Sequence, residues 1–206
     1  MKRNWFRIFL FTLALAGGVW QVLAAPVKPA FIFGDVGYFH RWSQDDQHEF
    51  TPDQQEDLGH WADMITVNAY PSVHDGDALA AMANAVLENY KSHGAKVLKT
   101  NSIPRTPERP AEHFIAVFFG RPQFIEVAFA RFKLSDGSGG SFVYSHRMYG
   151  EKIGDAMSAW LLANGPKTEK TLMEWRTMPS PATLRATPLR ALRESKGTNL
   201  TRAGVL

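Results

Sequence analysis

The chain has 206 residues, is 45% hydrophobic and 21% charged, carries a formal net charge of +3 and contains no cysteine. The missing thiols exclude a disulfide framework, cysteine nucleophiles, cysteine-ligated metal and a lipid-modified bacterial lipoprotein. The positive charge belongs to the two ends: residues 25 to 177 hold 15 basic against 19 acidic side chains, a formal −4, which argues against a nucleic-acid-binding domain.

Residues 1 to 24 read as a signal peptide. Lys2, Arg3 and Arg7 form a basic start, Ile8 to Val22 is apolar, and Val22-Leu23-Ala24 supplies small residues at a cleavage site before Ala25. The competing reading is an uncleaved anchor, because the apolar run approaches the roughly 18 to 20 residues that span a bilayer. Both place the following domain outside the cytoplasm, periplasmic or secreted.

Phe31 to Phe39 is expected as an irregular first strand, loosened by Gly34 and Gly37. His40 to His60, rich in Asp, Gln and Glu, reads as a long surface loop or a short helical turn. Trp61 to Tyr70 returns to strand character and is closed by Pro71 and Asp75-Gly76. Leu79, Met82, Ala83, Val86, Leu87 and Tyr90 then recur at helical spacing, with Asp75 as the cap, Asp77 in the positive first turn and Gly94 past the end. Ala95 to Ile103, Glu112 to Phe119, Phe124 to Leu134 and Ser141 to Tyr149 are successive strands rich in Val, Ile, Phe and Tyr. The short connections Gly120-Pro122 and Ser135-Gly140 make the last three an antiparallel meander. Asp155 to Asn164 is a second helix ended by Gly165, and Thr168 starts a further helical turn through Leu172 and Trp175.

This order predicts a single α+β domain over residues 25 to 177: an antiparallel sheet of about five to six strands, a long helix after the early strands and a second helix near the end. Residues 178 to 206 read as a basic, disordered tail, with Arg185, Arg190, Arg193, Lys196 and Arg202 against Glu194 and a short amphipathic turn through Leu184, Leu189 and Leu192. Asn199-Leu200-Thr201 matches a glycosylation sequon. The helix over Asp77 to Ser92, the strand run from Ala95 to Tyr149 and the helix from Asp155 to Asn164 resemble, in their order, the Mog1/PsbP-like fold. The resemblance spans residues 30 to 176 and carries no shared motif. It implies binding and accessory roles and transfers no functional residue, since fold alone does not determine function.

No catalytic residue, metal ligand or cofactor is assigned. His40 and His48, with Asp45, Asp46 and Glu49, could be drawn as a metal site, but their spacing matches no ligand motif. Ser145 and His146 are strand neighbours whose side chains face opposite ways, which opposes a dyad. Gly137 to Gly140 lacks the lysine and helix of a phosphate loop and reads as a hairpin turn. With a turn centred on Gly137-Ser138, Tyr144 falls opposite Arg131 and His146 opposite Phe129, grouping a cation, an imidazole and aromatic rings. Arg131, Tyr144 and His146 are therefore candidate binding residues for a small anionic or aromatic ligand or a protein partner. The competing reading is an ordinary covered sheet face. Trp42 and Trp61, with Tyr38 and Phe39, form a second candidate contact surface, whereas Trp160 and Trp175 read as packing residues.

The functional expectation is an exported, non-enzymatic binding or accessory protein with an envelope protein partner, a class that includes immunity proteins. No nucleic acid is expected as a partner, and a membrane only if the leader is retained. The alternative is an envelope hydrolase or small-ligand enzyme using Arg131 and His146.

Overall fold

A computed structural model of the chain describes residues 28–180, 183 and 184. The leader, the tail beyond Leu184 with Leu189 and Leu192, and the Asn199 sequon lie outside the described residues. Ten elements follow in order: β1 (Phe31–Phe33), β2 (Val36–Gln44), β3 (Gln47–Pro52), β4 (Asp63–Tyr70), α1 (Gly76–Ser92), β5 (Lys96–Ile103), β6 (Glu112–Gly120), β7 (Phe124–Ser135), β8 (Ser138–Tyr149) and α2 (Gly154–Glu174). The strands form one antiparallel sheet in the order β1-β2-β3-β4-β8-β7-β6-β5. The chain lays down four strands inward from one edge, crosses through α1 to the far edge and returns as a meander until β8 closes against β4.

The α+β class and antiparallel sheet hold, but the sheet has eight strands rather than five to six. The difference arises in two places: Phe31 to Phe39, read as one irregular strand, divides into β1 and the start of β2, and the segment read as a surface loop supplies the rest of β2 and all of β3. Asp45 and Asp46 make a two-residue turn, Asp45 at a φ of 52°, joining β2 to β3 with Gln44 opposite Gln47. The polar residues of this hairpin are buried: His40, Arg41, His48, Glu49 and Thr51 are all under 5% exposed. The His40 ring stacks on Phe50 at 4.7 Å, and the Arg41 guanidinium donates to Thr51 Oγ1 and the Pro52 carbonyl at 2.9 and 2.8 Å. Polar side chains that find partners within a sheet can be buried, and they erase the apolar alternation by which a strand is recognised.

The two helices cover opposite faces. Phe50, Ile65, Val67, Phe114, Val127, Phe129, Phe142 and Tyr144 point toward α2 and pack with Met157 and Leu172. Ile115, Val117, Ala128, Ala130, Phe132 and Val143, one residue out of phase, pack under Leu79, Ala83 and Tyr90 of α1. The alternation along β7 and β8 is that of a sheet buried on both sides, which explains their long apolar runs. Helix α1 begins where expected, with Asp75 Oδ1 accepting from Ala78 N at 2.8 Å. Helix α2 does not end at Gly165; it runs unbroken through Pro166 to Glu174. Trp175 and Leu184 are both buried on the α2 face, so packing continues past Thr177. Among the described residues no helix is long and apolar enough to cross a membrane.

The β7–β8 turn falls on Asp136-Gly137, both at positive φ, one residue before the expected centre. Asp-Gly is the pair a two-residue hairpin turn of this hand prefers. Just beyond it, Gly139 donates its N–H to the Val73 carbonyl at 2.7 Å, and a Cβ at Gly139 would lie 2.7 Å from Val73 Cγ1. Overpacking of this kind costs roughly 1–3 kcal/mol. Gly139→Ala is therefore expected to lower the urea midpoint by a corresponding amount, and an unchanged midpoint would show that Val73 yields freely.

Candidate functional site

The corrected turn moves every β7–β8 partner by two residues, which preserves faces and changes neighbours. Tyr144 stands opposite Phe129, His146 opposite Val127, and Arg131 opposite Phe142. Arg131 and His146 are therefore four residues apart along the strands, about 13 Å at the usual rise. The expected grouping of these two with Tyr144 does not form.

On the α2 face, Tyr144 and His146 converge instead on Asp63, the first residue of β4 and the direct cross-strand partner of His146. Asp63 Oδ1 accepts from the Tyr144 hydroxyl at 2.6 Å and lies 2.9 Å from His146 Nδ1. Gln55 Oε1 accepts the backbone N–H groups of Ala62 and Asp63, fixing the entry into β4. Burial by itself would raise the Asp63 pKa, but the hydrogen bonds from His146 and Tyr144 and the imidazole charge together hold it below 3.8. Burial, with the Asp63 charge beside it, pushes the Tyr144 hydroxyl far up, so it remains a neutral donor. The His146 ring lies flat against Trp160 of α2, centroids 4.1 Å apart with 4° between planes. Phe33 stacks on Tyr144 from β1.

A carboxylate on Nδ1 is half of what a histidine base needs; the other half is access to Nε2. Here Nε2 is enclosed and has no hydrogen-bond partner. Ser145 faces the other side of the sheet, opposite Met64 and Ala128. The arrangement holds α2, β4 and β8 together.

Arg131 is also committed to the structure. Its guanidinium bonds Glu112 at 2.7–2.8 Å and donates to the Leu172 and Trp175 carbonyls at 2.8 and 3.2 Å. Both ionic side chains are 7% exposed. The cation thus closes the C-terminal end of α2, where carbonyls lack helical partners and the helix dipole is negative. Arg131 does not extend to water along an apolar face.

The aromatic pair separates too. Trp61 is 3% exposed and lies 4.0 Å under the Arg147 guanidinium, which Phe124 approaches at 4.2 Å and Glu126 bonds at 2.7 Å. This is a lid over the core. Trp42 is half-buried on β2, separated from β8 by β3 and β4. Tyr38 is buried, and Phe39 lies beside the Arg41 guanidinium. Among the described residues no group of three His, Asp or Glu side chains is arranged to hold a metal ion.

Sequence reasoning missed the far edge of the sheet. Strand β5 pairs only with β6, and Lys96 through Ser102 are all exposed. Beside it an open groove of about 380 Å³ is bordered by Ala83 and Leu87 of α1, Thr100 and Ser102 of β5, and His113 and Ile115 of β6. Ser102 Oγ and His113 Nδ1 are 2.8 Å apart there, and burial lowers the His113 pKa. The available signal was the run of Lys and polar residues in Lys96–Ile103, which suits an edge strand.

No family model matches the chain, and no curated protein matches it. Among solved structures, the Ran-binding protein Mog1p of Saccharomyces cerevisiae is similar at 11% identity and a TM-score of 0.46, over 66% of this chain and 82% of that one. A mutant of protein Mog1 gives 11%, a TM-score of 0.45 and the same coverage. Human STARD10 gives 10% and a TM-score of 0.28, over 75% of this chain and 84% of that one. The first two are structures of Mog1, whose fold the order of elements in this chain resembles. Nothing about ligand, partner or activity is taken from these similarities.

Proposed function

We propose that the chain is a non-enzymatic binding protein that acts through protein contacts, exported by its first 24 residues to the periplasm or outside the cell. The observation that carries the proposal is the closure of the two polar groupings expected to hold a ligand. Arg131 is spent on Glu112 and the end of α2, and Tyr144 and His146 are spent on Asp63. A ligand at either place would have to displace a satisfied buried bond, which costs about 1–3 kcal/mol per group left unpaired. The export component rests on the basic start, apolar run and small-residue site before Ala25.

The test is capture. The full mature chain from Ala25, immobilised and exposed to envelope extract of its own organism, is expected to retain one protein at one-to-one stoichiometry through a high-salt wash. Failure to retain any protein would overturn the proposal, and turnover or saturable binding of a small molecule would point to the alternative.

A further inference from the structure

We propose that β5 is where the partner adds: an extended, acidic segment of another protein pairs along the open edge of β5 as a ninth strand. The inference rests on the protein-binding proposal above and specifies its surface and the chemistry of its partner.

The two sheet edges differ in the way this requires. At the β1 edge only three residues pair, and Phe31 and Phe33 turn into the core, leaving little to template on. At the other edge, β5 is eight residues long and α1 packs over β6 and β7, so Lys96 to Ser102 remain exposed. An unpaired edge offers a row of N–H and C=O groups, and addition of an extended peptide is a recurrent means of recognition. The bulge between Val97 and Lys99 breaks regularity early, but Lys99 to Ile103 pairs with β6 without interruption. That stretch borders the groove with Thr100 and Ser102. Side chains of one parity on an added strand would face the groove, and those of the other parity would lie on the α2 side.

Charge selects the occupant. Residues 91 to 109 hold Lys91, Lys96, Lys99, Arg105 and Arg109 against Glu108 alone, within a domain whose formal charge is negative. Lys91 is paired with Glu88 and Lys99 with Glu169, both at 2.8 Å. Lys96, Arg105 and Arg109 have no acidic partner among the described residues, and they flank the regular stretch at its two ends. A second copy of β5 in antiparallel pairing would set these cations against one another, whereas an acidic strand would neutralise them. Val97 and Leu98, 41% and 47% exposed, add apolar area at the start of the strand.

The test uses the full mature chain labelled with nitrogen-15 and two end-capped decapeptides, one alternating glutamate with valine and one alternating lysine with valine. The glutamate peptide is expected to slow amide exchange within Lys99 to Ile103, to shift resonances of β5 and the groove, and to bind at least tenfold tighter than the lysine peptide. Lys96→Glu combined with Arg105→Glu, both at exposed positions, is expected to remove that preference while leaving the melting temperature unchanged. Equal binding of the two peptides, shifts that map elsewhere, absence of binding by either, or a β5-mediated dimer in sedimentation would overturn the proposal. If the doubly substituted chain still captures the envelope partner at full stoichiometry, the β5 assignment fails while the protein-binding proposal stands. If no partner is captured by either chain, the protein-binding proposal fails as well.

Discussion

Replacing Arg131 with Met is expected to destabilise the domain by about 3–5 kcal/mol, the usual cost of leaving one member of a buried ion pair uncompensated. Glu112 would remain buried without its hydrogen-bonded cation, and the Leu172 and Trp175 carbonyls would lose the donor that closes α2. The companion variant, Arg131→Met with Glu112→Leu, removes both charges and is expected to recover much of the loss, because apolar replacement of a buried pair is often neutral. Urea unfolding of wild type, the single and the double variant measures this directly. Were Arg131 a ligand-binding cation, the single variant would keep its stability and lose a binding activity.

The position of Arg131 illustrates what the sequence made legible. Its face was readable, because the period of two along β7 and β8 is strict and survives an error in the turn. Its neighbours were not, because placing the β7–β8 turn one residue late shifts partners by two. Asp136-Gly137 was a sufficient signal for the true centre. Glu112 and the end of α2 were beyond reach, since they meet Arg131 only once β6 is paired and α2 is laid across the sheet. Asp63 was hidden for the same reason: β4 and β8 are neighbours through a crossover that passes by α1 and three other strands. The β2–β3 hairpin was concealed differently. His40, Arg41, His48, Glu49 and Thr51 are polar by type yet buried, so composition pointed to a surface that the fold does not have. The capped helix α1 carried its signals locally, which is why Asp75 and the apolar stripe identified it.

Asp63→Ala is the second large effect. It strands the Tyr144 hydroxyl and His146 Nδ1 together, and at about 1–3 kcal/mol for each unsatisfied buried group the expected loss is roughly 2–6 kcal/mol. Asp63→Asn keeps an acceptor oxygen and removes the charge, so it is expected to cost less than alanine. The pH dependence has a fixed sign. The Asp63 pKa is depressed in the folded state, so its contribution is complete above its ordinary value of 3.8 and is lost as pH falls through the lower folded value. The stability difference between wild type and Asp63→Asn should therefore shrink as the pH falls below about 4. A difference that instead grew on acidification would contradict the assigned ionisation.

The central claim is that the Asp63, Tyr144 and His146 cluster holds the fold and that function lies in surface contacts with a protein. The most direct test is partner capture by the full mature chain carrying His146→Phe, which keeps a ring against Trp160 and removes both nitrogens, measured beside its melting temperature. The expected result is a lowered melting temperature with capture unchanged at one-to-one below it. An unchanged melting temperature with loss of capture, or with loss of a small-molecule activity, would contradict the account and make His146 a functional group.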